Sequence, residues 1–344
     1  MALMLSGSRV RAVGLEIDSG AVRAVQLGRA GGGVRLTAAG RCELPHGAVV
    51  AGVVEEVEEV SDALHRLWSA AGFSTRNVVV GVANQGMFMR SITFPHVPRE
   101  NLEDALRLQA GDYLPIPLEQ LVMDFAVLDE TTGESSEEHY ELLLVAVRRE
   151  QLQRTLDSLA DGGLRPLVVD SSPLALARNL PERNLTGTII LADVASGVTS
   201  LLVVSEGLPV FARVSPVGLA ALMAELQHEG EADQRTLLSD SCIDRETLEP
   251  WGRELAQEIN TSVNYYLTQS YVEGVDALIL SGCGSRVPGI REILEDALDM
   301  PVRSLDPLER IASVRDRTVD WESEAADFAV GIGLAHRAIE EGSQ

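Results

Sequence analysis

Apolar and polar positions along the chain follow two rhythms. Short runs rich in valine, leucine and isoleucine, bounded by glycine, proline and acidic residues, predict strands at Val78–Val82, Met87–Phe94, Val122–Leu128, Tyr140–Val147, Leu167–Val169 and Asp276–Leu280. Helical spacing predicts a helix that opens at Pro98 and Arg99-Glu100-Asn101-Leu102 and runs to about Tyr113. It predicts another over Glu150–Leu159, with Leu152, Leu156 and Leu159 on one face. Trp251–Tyr266 carries an apolar stripe of Leu255, Ile259 and Val263, and a further helical pattern follows Pro288 through Leu298. Phe328–Ala335 reads as a helix whose small residues suit close packing. Strands and helices interleave, which is the pattern of an α/β protein.

The stretch 86–165 reads β-α-β-β-α-β, with an acidic turn from Asp129 to Glu138 between its middle strands. It has neither a nucleophile elbow nor a cluster of polar groups at catalytic spacing, so it reads as a compact interaction subdomain.

The chain also repeats itself. Gly14 begins G-L-E-I-D-S-G-A-V-R-A-V-Q-L, and Leu191 begins L-A-D-V-A-S-G-V-T-S-L-L-V-V. Glu16 falls on Asp193, Ser19 on Ser196 and Gly20 on Gly197, with apolar positions matching on both sides. Each block reads as a β-hairpin whose tight turn carries small residues. Successive N–H groups in such a turn can cradle phosphate, and a carboxylate on the strand before it can hold Mg²⁺. Two such turns facing each other would form a phosphate clamp. The run Ser281-Gly282-Cys283-Gly284-Ser285, between a strand and a helix start, is a third element able to approach an anion.

Composition narrows the chemistry. The net charge is −24, from 28 basic and 52 acidic residues, and the arginines never form a run, so nucleic acid and bare anionic membrane are poor partners. Every basic residue is arginine. The absence of lysine excludes Schiff-base chemistry, a lysine-bearing phosphate loop and a protein-kinase lysine. Cys42, Cys242 and Cys283 and the six histidines match no metal or disulfide spacing. Met1–Leu5 is apolar, but Ser6, Gly7, Arg9 and Arg11 interrupt it too soon for a signal peptide, and no run is long enough to span a bilayer. A cytoplasmic protein without direct membrane insertion is expected.

With these residues in view, the chain resembles the PilM family of type IV pilus assembly proteins, relatives of the division protein FtsA. Gly14 to Arg23 is similar to the family's first phosphate motif, Asp193 to Thr199 to its second, and Gly282 to Gly284 with Pro288-Gly289 to its adenosine motif. The most distinctive match is Leu106-x-x-Gln-Ala-Gly-Asp-Tyr-Leu-Pro-Ile-Pro-Leu-Glu119, followed by Met123-Asp124-Phe125. The resemblance implies a duplicated actin-like (ribonuclease H-like) ATPase fold. Its first lobe would span 1–85, with an inserted α+β subdomain at 86–165 and a return to the first lobe at 166–186. The second lobe would span 187–335, with a tail at 336–344.

The resemblance further implies a scaffold that binds the N-terminal tail of a PilN-like membrane protein, which would recruit it to the inner face of the cytoplasmic membrane. Leu106, Tyr113, Leu114 and Ile116 would be the anchors, with the tail lying between the first lobe and the insert. Contacts with pilus motor ATPases and self-association stay open. ATP and Mg²⁺ would be the cofactors, with Ser19, Gly20, Arg23, Asp193, Gly197, Thr199, Gly282 and Gly284 lining the cleft, Glu258 and Ser262 near the nucleoside, and Asp193 on the metal. The chain departs from the family's Asp-x-Gly-Ser with Glu16-Ile17-Asp18-Ser19 and has Ala195 for a usual glycine, so binding is expected to be weak and hydrolysis negligible. Two alternatives stay open: a nucleotide-dependent FtsA-like cytoskeletal or division protein, and an active kinase of the superfamily.

Overall fold

The computed structural model describes residues 11–131, 138–181, 186–228, 243–269 and 274–341. Cys242, the apolar start Met1–Leu5 with Ser6, Gly7 and Arg9, most of the expected acidic turn, and the last three residues of the expected tail lie outside the described residues.

The chain begins with β1 (Val13–Ile17), β2 (Ala21–Ala30), β3 (Gly33–Glu43), the short β4 (Val49–Val50) and β5 (Val53–Val54), α1 (Val57–Ala71) and β6 (Asn77–Val82). Then come β7 (Phe88–Pro95), α2 (Leu102–Tyr113), β8 (Leu121–Thr131), β9 (His139–Arg148), α3 (Arg149–Asp161), β10 (Arg165–Ser171) and α4 (Ser172–Ala177). The second half holds β11 (Thr188–Val194), β12 (Thr199–Ser205), β13 (Leu208–Ser215), α5 (Leu219–His228), α6 (Arg245–Gln269), β14 (Ala277–Ser281), α7 (Ile290–Leu298), β15 (Val302–Ser304), β16 (Ser313–Val314) and α8 (Ala329–Glu341).

Two sheets carry the duplication. The first runs β10-β6-β1-β2-β3-β16, and the second contains β15-β14-β11-β12-β13 in the equivalent order. In both, the first three strands form an antiparallel meander and the next two join in parallel. The registers agree residue for residue: Glu16 faces Arg23 as Asp193 faces Ser200, and Ile17 faces Val22 as Val194 faces Thr199. The alignment read from sequence is thus the structural equivalence of the two hairpins.

The inserted stretch is arranged differently from the expected self-contained unit. β7, β9 and β8 extend the second sheet, joined through Phe211↔Arg90 and Ala212↔Met89, to make eight strands in all. α3 and β10 belong instead to the first lobe: β10 pairs with β6, and Leu156, Leu159 and Leu164 pack into the core under α1. Only β7-α2-β8-β9 forms the insert, around Phe94, Leu106, Leu121, Tyr140, Leu142 and Leu144. Pattern reading identifies each strand, but edge pairing depends on long-range contacts that no local pattern encodes.

α8 is also not a second-lobe helix followed by a tail. It continues to Glu341 and buries His336 and Ala338. It lies across β1, β2 and β6 of the first sheet, while α4 reaches β11 and β12 of the second. Ala175, Leu176, Val330 and Leu334 from these helices meet Val79 of the first sheet and Leu191 and Leu202 of the second in one apolar layer. The approach is backbone to backbone. A Cβ on Gly14 would overlap the Gly331 carbonyl and lie 2.9 Å from Leu334 Cβ, and one on Gly333 would overlap the Ala175 carbonyl.

Gly14→Ala is therefore expected to destabilise the fold by about 2 kcal/mol or more, because packed backbone cannot yield to the added methyl. Gly111→Ala, on the outer part of α2 with open space around it, is expected to stabilise by up to about 1 kcal/mol. Urea unfolding midpoints of the two variants check both outcomes.

Candidate functional site

The two equivalent turns face each other. Ile17 and Ala21 are bridged by Asp18-Ser19-Gly20, closed by the Asp18 N–H donating to the Ala21 carbonyl at 3.1 Å. Val194 and Thr199 are bridged by Ala195 to Val198, closed by the Ala195 N–H donating to the Val198 carbonyl at 3.0 Å. The second turn also starts α5: Leu219 and Ala220 N–H groups donate to the Ala195 and Ser196 carbonyls at 2.9 and 2.8 Å. The helix start is consequently already satisfied by the protein's own backbone.

Asp18 joins the turns. Its Oδ2 accepts from the Ser196 N–H at 3.0 Å and from Arg23 Nη1 at 3.3 Å, and its Oδ1 accepts from the Gly197 N–H at 3.3 Å. The residue is buried. Ser19 lies against Gly197 so closely that a Cβ on that glycine would overlap the Ser19 hydroxyl.

A charged layer lies behind. Arg23 is buried and pairs with Glu16 at 3.8 Å as well as with Asp18. Burial opposes its charge, but Glu16 and Asp18 outweigh that and raise its pKa further. Burial raises the Glu16 pKa well above the usual carboxylate range; Arg23 pulls it back, and Asp193 and Asp18 push it up. Burial, then repulsion from Asp18, brings Asp193 up to about 7. Asp327, which the sequence reading missed, is buried at the rim, held by Arg286 Nη1 at 2.8 Å and by Arg41 at 3.8 Å. It precedes α8 shortly after Glu322 and Glu324, and no local pattern sets it apart from them.

The other expected site residues divide. Gly282, at φ +81°, and Gly284 pack against β11: a Cβ on Gly282 would lie 2.5 Å from the Val194 carbonyl oxygen and 2.9 Å from Asp193 Oδ1. Gly284 would similarly collide with Val194. Cys283 between them is buried near Ser196, and burial pushes its thiol up to about 12, leaving it unreactive. Thr199 does not face the cleft; it is buried and donates to the Val217 carbonyl at 2.6 Å. Ser262 is buried on α6 and donates to the Glu258 carbonyl at 2.9 Å, and the Glu258 carboxylate pairs with Arg213 at 3.5 Å. Ser19, Gly20, Arg23, Asp193, Gly197, Gly282 and Gly284 are thus brought together; Thr199, Glu258 and Ser262 are engaged elsewhere.

Beyond the turns opens a cavity of ≈ 970 Å³, with Ser19, Gly20, Ser196 and Gly197 on its floor and Leu44, Val49, Leu219 and Met223 on its walls. Among the described residues lining it, the titratable ones are Glu43 and His46, and none is an arginine. Also among the described residues, no group of three or more His, Cys, Asp or Glu is placed to hold a metal ion. The Ser196 and Gly197 amides that would cradle a phosphate already hold a carboxylate. This arrangement does not fit a nucleotide phosphate.

A family model described as "Type IV pilus assembly protein PilM" matches residues 14–339. The chain belongs to the PilM family. A solved PilM-PilN type IV pilus biogenesis complex contains a chain 27% identical to it, with a TM-score of 0.84, covering 96% of this chain and 99% of that one. Two more distant structures share the fold alone. The ethanolamine utilization protein EutJ from Carboxydothermus hydrogenoformans is 13% identical, with a TM-score of 0.55 over 95% of this chain and 89% of its own. MreB 5 of Spiroplasma citri, solved with AMPPNP, is 11% identical, with a TM-score of 0.54 over 96% and 97%. The two-lobe architecture of this PilM-family chain is therefore the actin-like fold.

The raised pKa of Asp193 fixes a sign. The folded state binds more protons than the unfolded state between pH 3.8 and about 7, so stability from this group falls as pH rises through that window and is level above it. Asp193→Asn is expected to flatten that part of the curve. Urea midpoints of both proteins at pH 4.5, 6 and 7.5 check it; parallel curves would refute it.

Proposed function

We propose that this chain is a scaffold of type IV pilus assembly that captures the N-terminal tail of a PilN-like membrane protein. The carrying observation is a cavity of ≈ 720 Å³ between the insert and the second lobe, lined by Met87, Phe88, Tyr113, Leu114, Phe211 and Tyr265. Tyr113 and Leu114 come from the tyrosine–aliphatic–proline run, and Arg90 holds that run in place by donating to the Tyr113 carbonyl at 2.6 Å. Tyr265 is 46% exposed and leans on Phe211 with ring centroids 5.5 Å apart.

Of the four expected anchors, Tyr113 and Leu114 line this cavity and Leu106 and Ile116 do not. Leu106 is fully buried in the insert core, which also holds Leu114, with Tyr113 and Ile116 partly buried against it. The cavity that holds Tyr113 and Leu114 also lies against the second lobe rather than the first. An extended tail, disordered when free, would bury a few aliphatic groups between these rings, which offsets its ordering cost. No described helix is long and apolar enough to cross a membrane, so in this reading the partner supplies membrane attachment. ATP and Mg²⁺ have no step in it.

Tail-peptide titration followed by fluorescence anisotropy tests the proposal, using the tail of the PilN-like protein from the same organism. Tyr113→Ala and Tyr265→Ala are each expected to weaken binding about tenfold or more, as buried aromatic anchors do. Unchanged affinity in both variants would refute this site. With a net charge of −24, association of a basic tail should also slow markedly from low to physiological salt.

A further inference from the structure

We infer that the Asp18 carboxylate is a built-in substitute for a nucleotide phosphate, latching the first lobe to the second and closing the clamp without ATP. The geometry is that of an anion in a backbone cradle. Two consecutive N–H groups of the second lobe's turn, Ser196 and Gly197, converge on the two oxygens of one carboxylate at 3.0 and 3.3 Å. Arg23 on the first lobe adds a charged donor at 3.3 Å. Consecutive turn amides with a cationic side chain are what a phosphate oxygen would meet in such a place.

Three observations show that the cradle is filled. Asp18 is 4% exposed, so the carboxylate is sealed in the contact. Ser19 fills the space beside Gly197. The carboxylates of Glu16 and Asp193 lie behind, with Asp193 helping to push the Glu16 carboxyl up, so a phosphate entering there would meet three acids with one buried arginine between them. The cavity above the turns keeps its volume, but the Ser196 and Gly197 amides on its floor are engaged by Asp18, which leaves the Ser19 hydroxyl there without a partner. Replacing the carboxylate by hydrogen would free both amides and leave Arg23 paired with Glu16 alone.

The test needs no partner protein, so its outcome is separate from that of tail binding. Wild type, Asp18→Gly and the near-isosteric Asp18→Asn are titrated with pyrophosphate and with MgATP by calorimetry. Hydrogen exchange of peptides covering residues 195–199 is followed without ligand, and circular dichroism checks folding. The expected result is at least tenfold faster exchange at Ser196 and Gly197 in Asp18→Gly, together with at least tenfold tighter pyrophosphate and MgATP binding than in wild type. Should Asp18→Gly not fold, Asp18→Asn is expected to show both changes in the same direction. Unchanged exchange would overturn the latch. Faster exchange with no gain in pyrophosphate or MgATP affinity would overturn the phosphate substitution, as would wild-type MgATP affinity equal to that of the variant.

Discussion

The rest of the molecule depends on the backbone contact between β1 and α8. Gly14 lets the α8 backbone approach the sheet at a distance that no side chain on β1 would permit. The same helix presents Val330 and Leu334 to the layer shared by both sheets. Each lobe has an apolar core of its own, and this layer joins the two. Because the interior is close-packed and resists small displacements, that shared layer fixes the angle between the sheets. The two hairpin turns, carried on strands of those sheets, are held face to face as a consequence. The Asp18 contacts span only about 3 Å, and such hydrogen bonds weaken quickly with distance and misalignment. Side-chain charge can act across the lobes because small residues have already placed the backbone.

The buried charges at the seam have a cost that an apolar seam would not. Glu16, Asp18, Asp193 and Asp327 are buried with Arg23, and burial raises the pKa of both Glu16 and Asp193. Breaking one member of such a network leaves its partner uncompensated, whereas an apolar interface would slide more freely. A directional network suits a seam that must keep one orientation. Arg286 and Arg41, both directed at Oδ2 of Asp327, extend the same logic from the turns to the start of α8.

The hairpins were legible because their information is local and repeated: a carboxylate, a serine and a glycine recur in the same register, and strand pairing preserves that register. The close-packing role of Gly331 and Gly333 was legible from their small size in a helical run. Thr199 and Ser262 were not, because a hydroxyl on a strand or helix satisfies whichever acceptor lies nearest. Here those acceptors are the Val217 and Glu258 carbonyls. The attachment of the insert to β13 was also hidden, since one edge strand resembles another in sequence. Asp18 is the instructive case. The sequence marks it as a misfit, a charge where a phosphate turn wants a small residue. Only the opposing amides show that the misfit has a partner.

These pieces separate two properties that the fold could have coupled. The groove holding Tyr113 and Leu114 is walled by the insert and by β13 and α6 of the second lobe. The insert's strands are hydrogen-bonded into the second lobe's sheet through β7 and β13. Both walls of the groove thus belong to one continuous sheet and the helices packed on it, and a change in the angle between lobes would carry them together. The clamp, by contrast, joins first lobe to second. A groove contained within one sheet needs no hinge to form. A change at the two turns can therefore leave the groove at Tyr113 and Tyr265 unaltered.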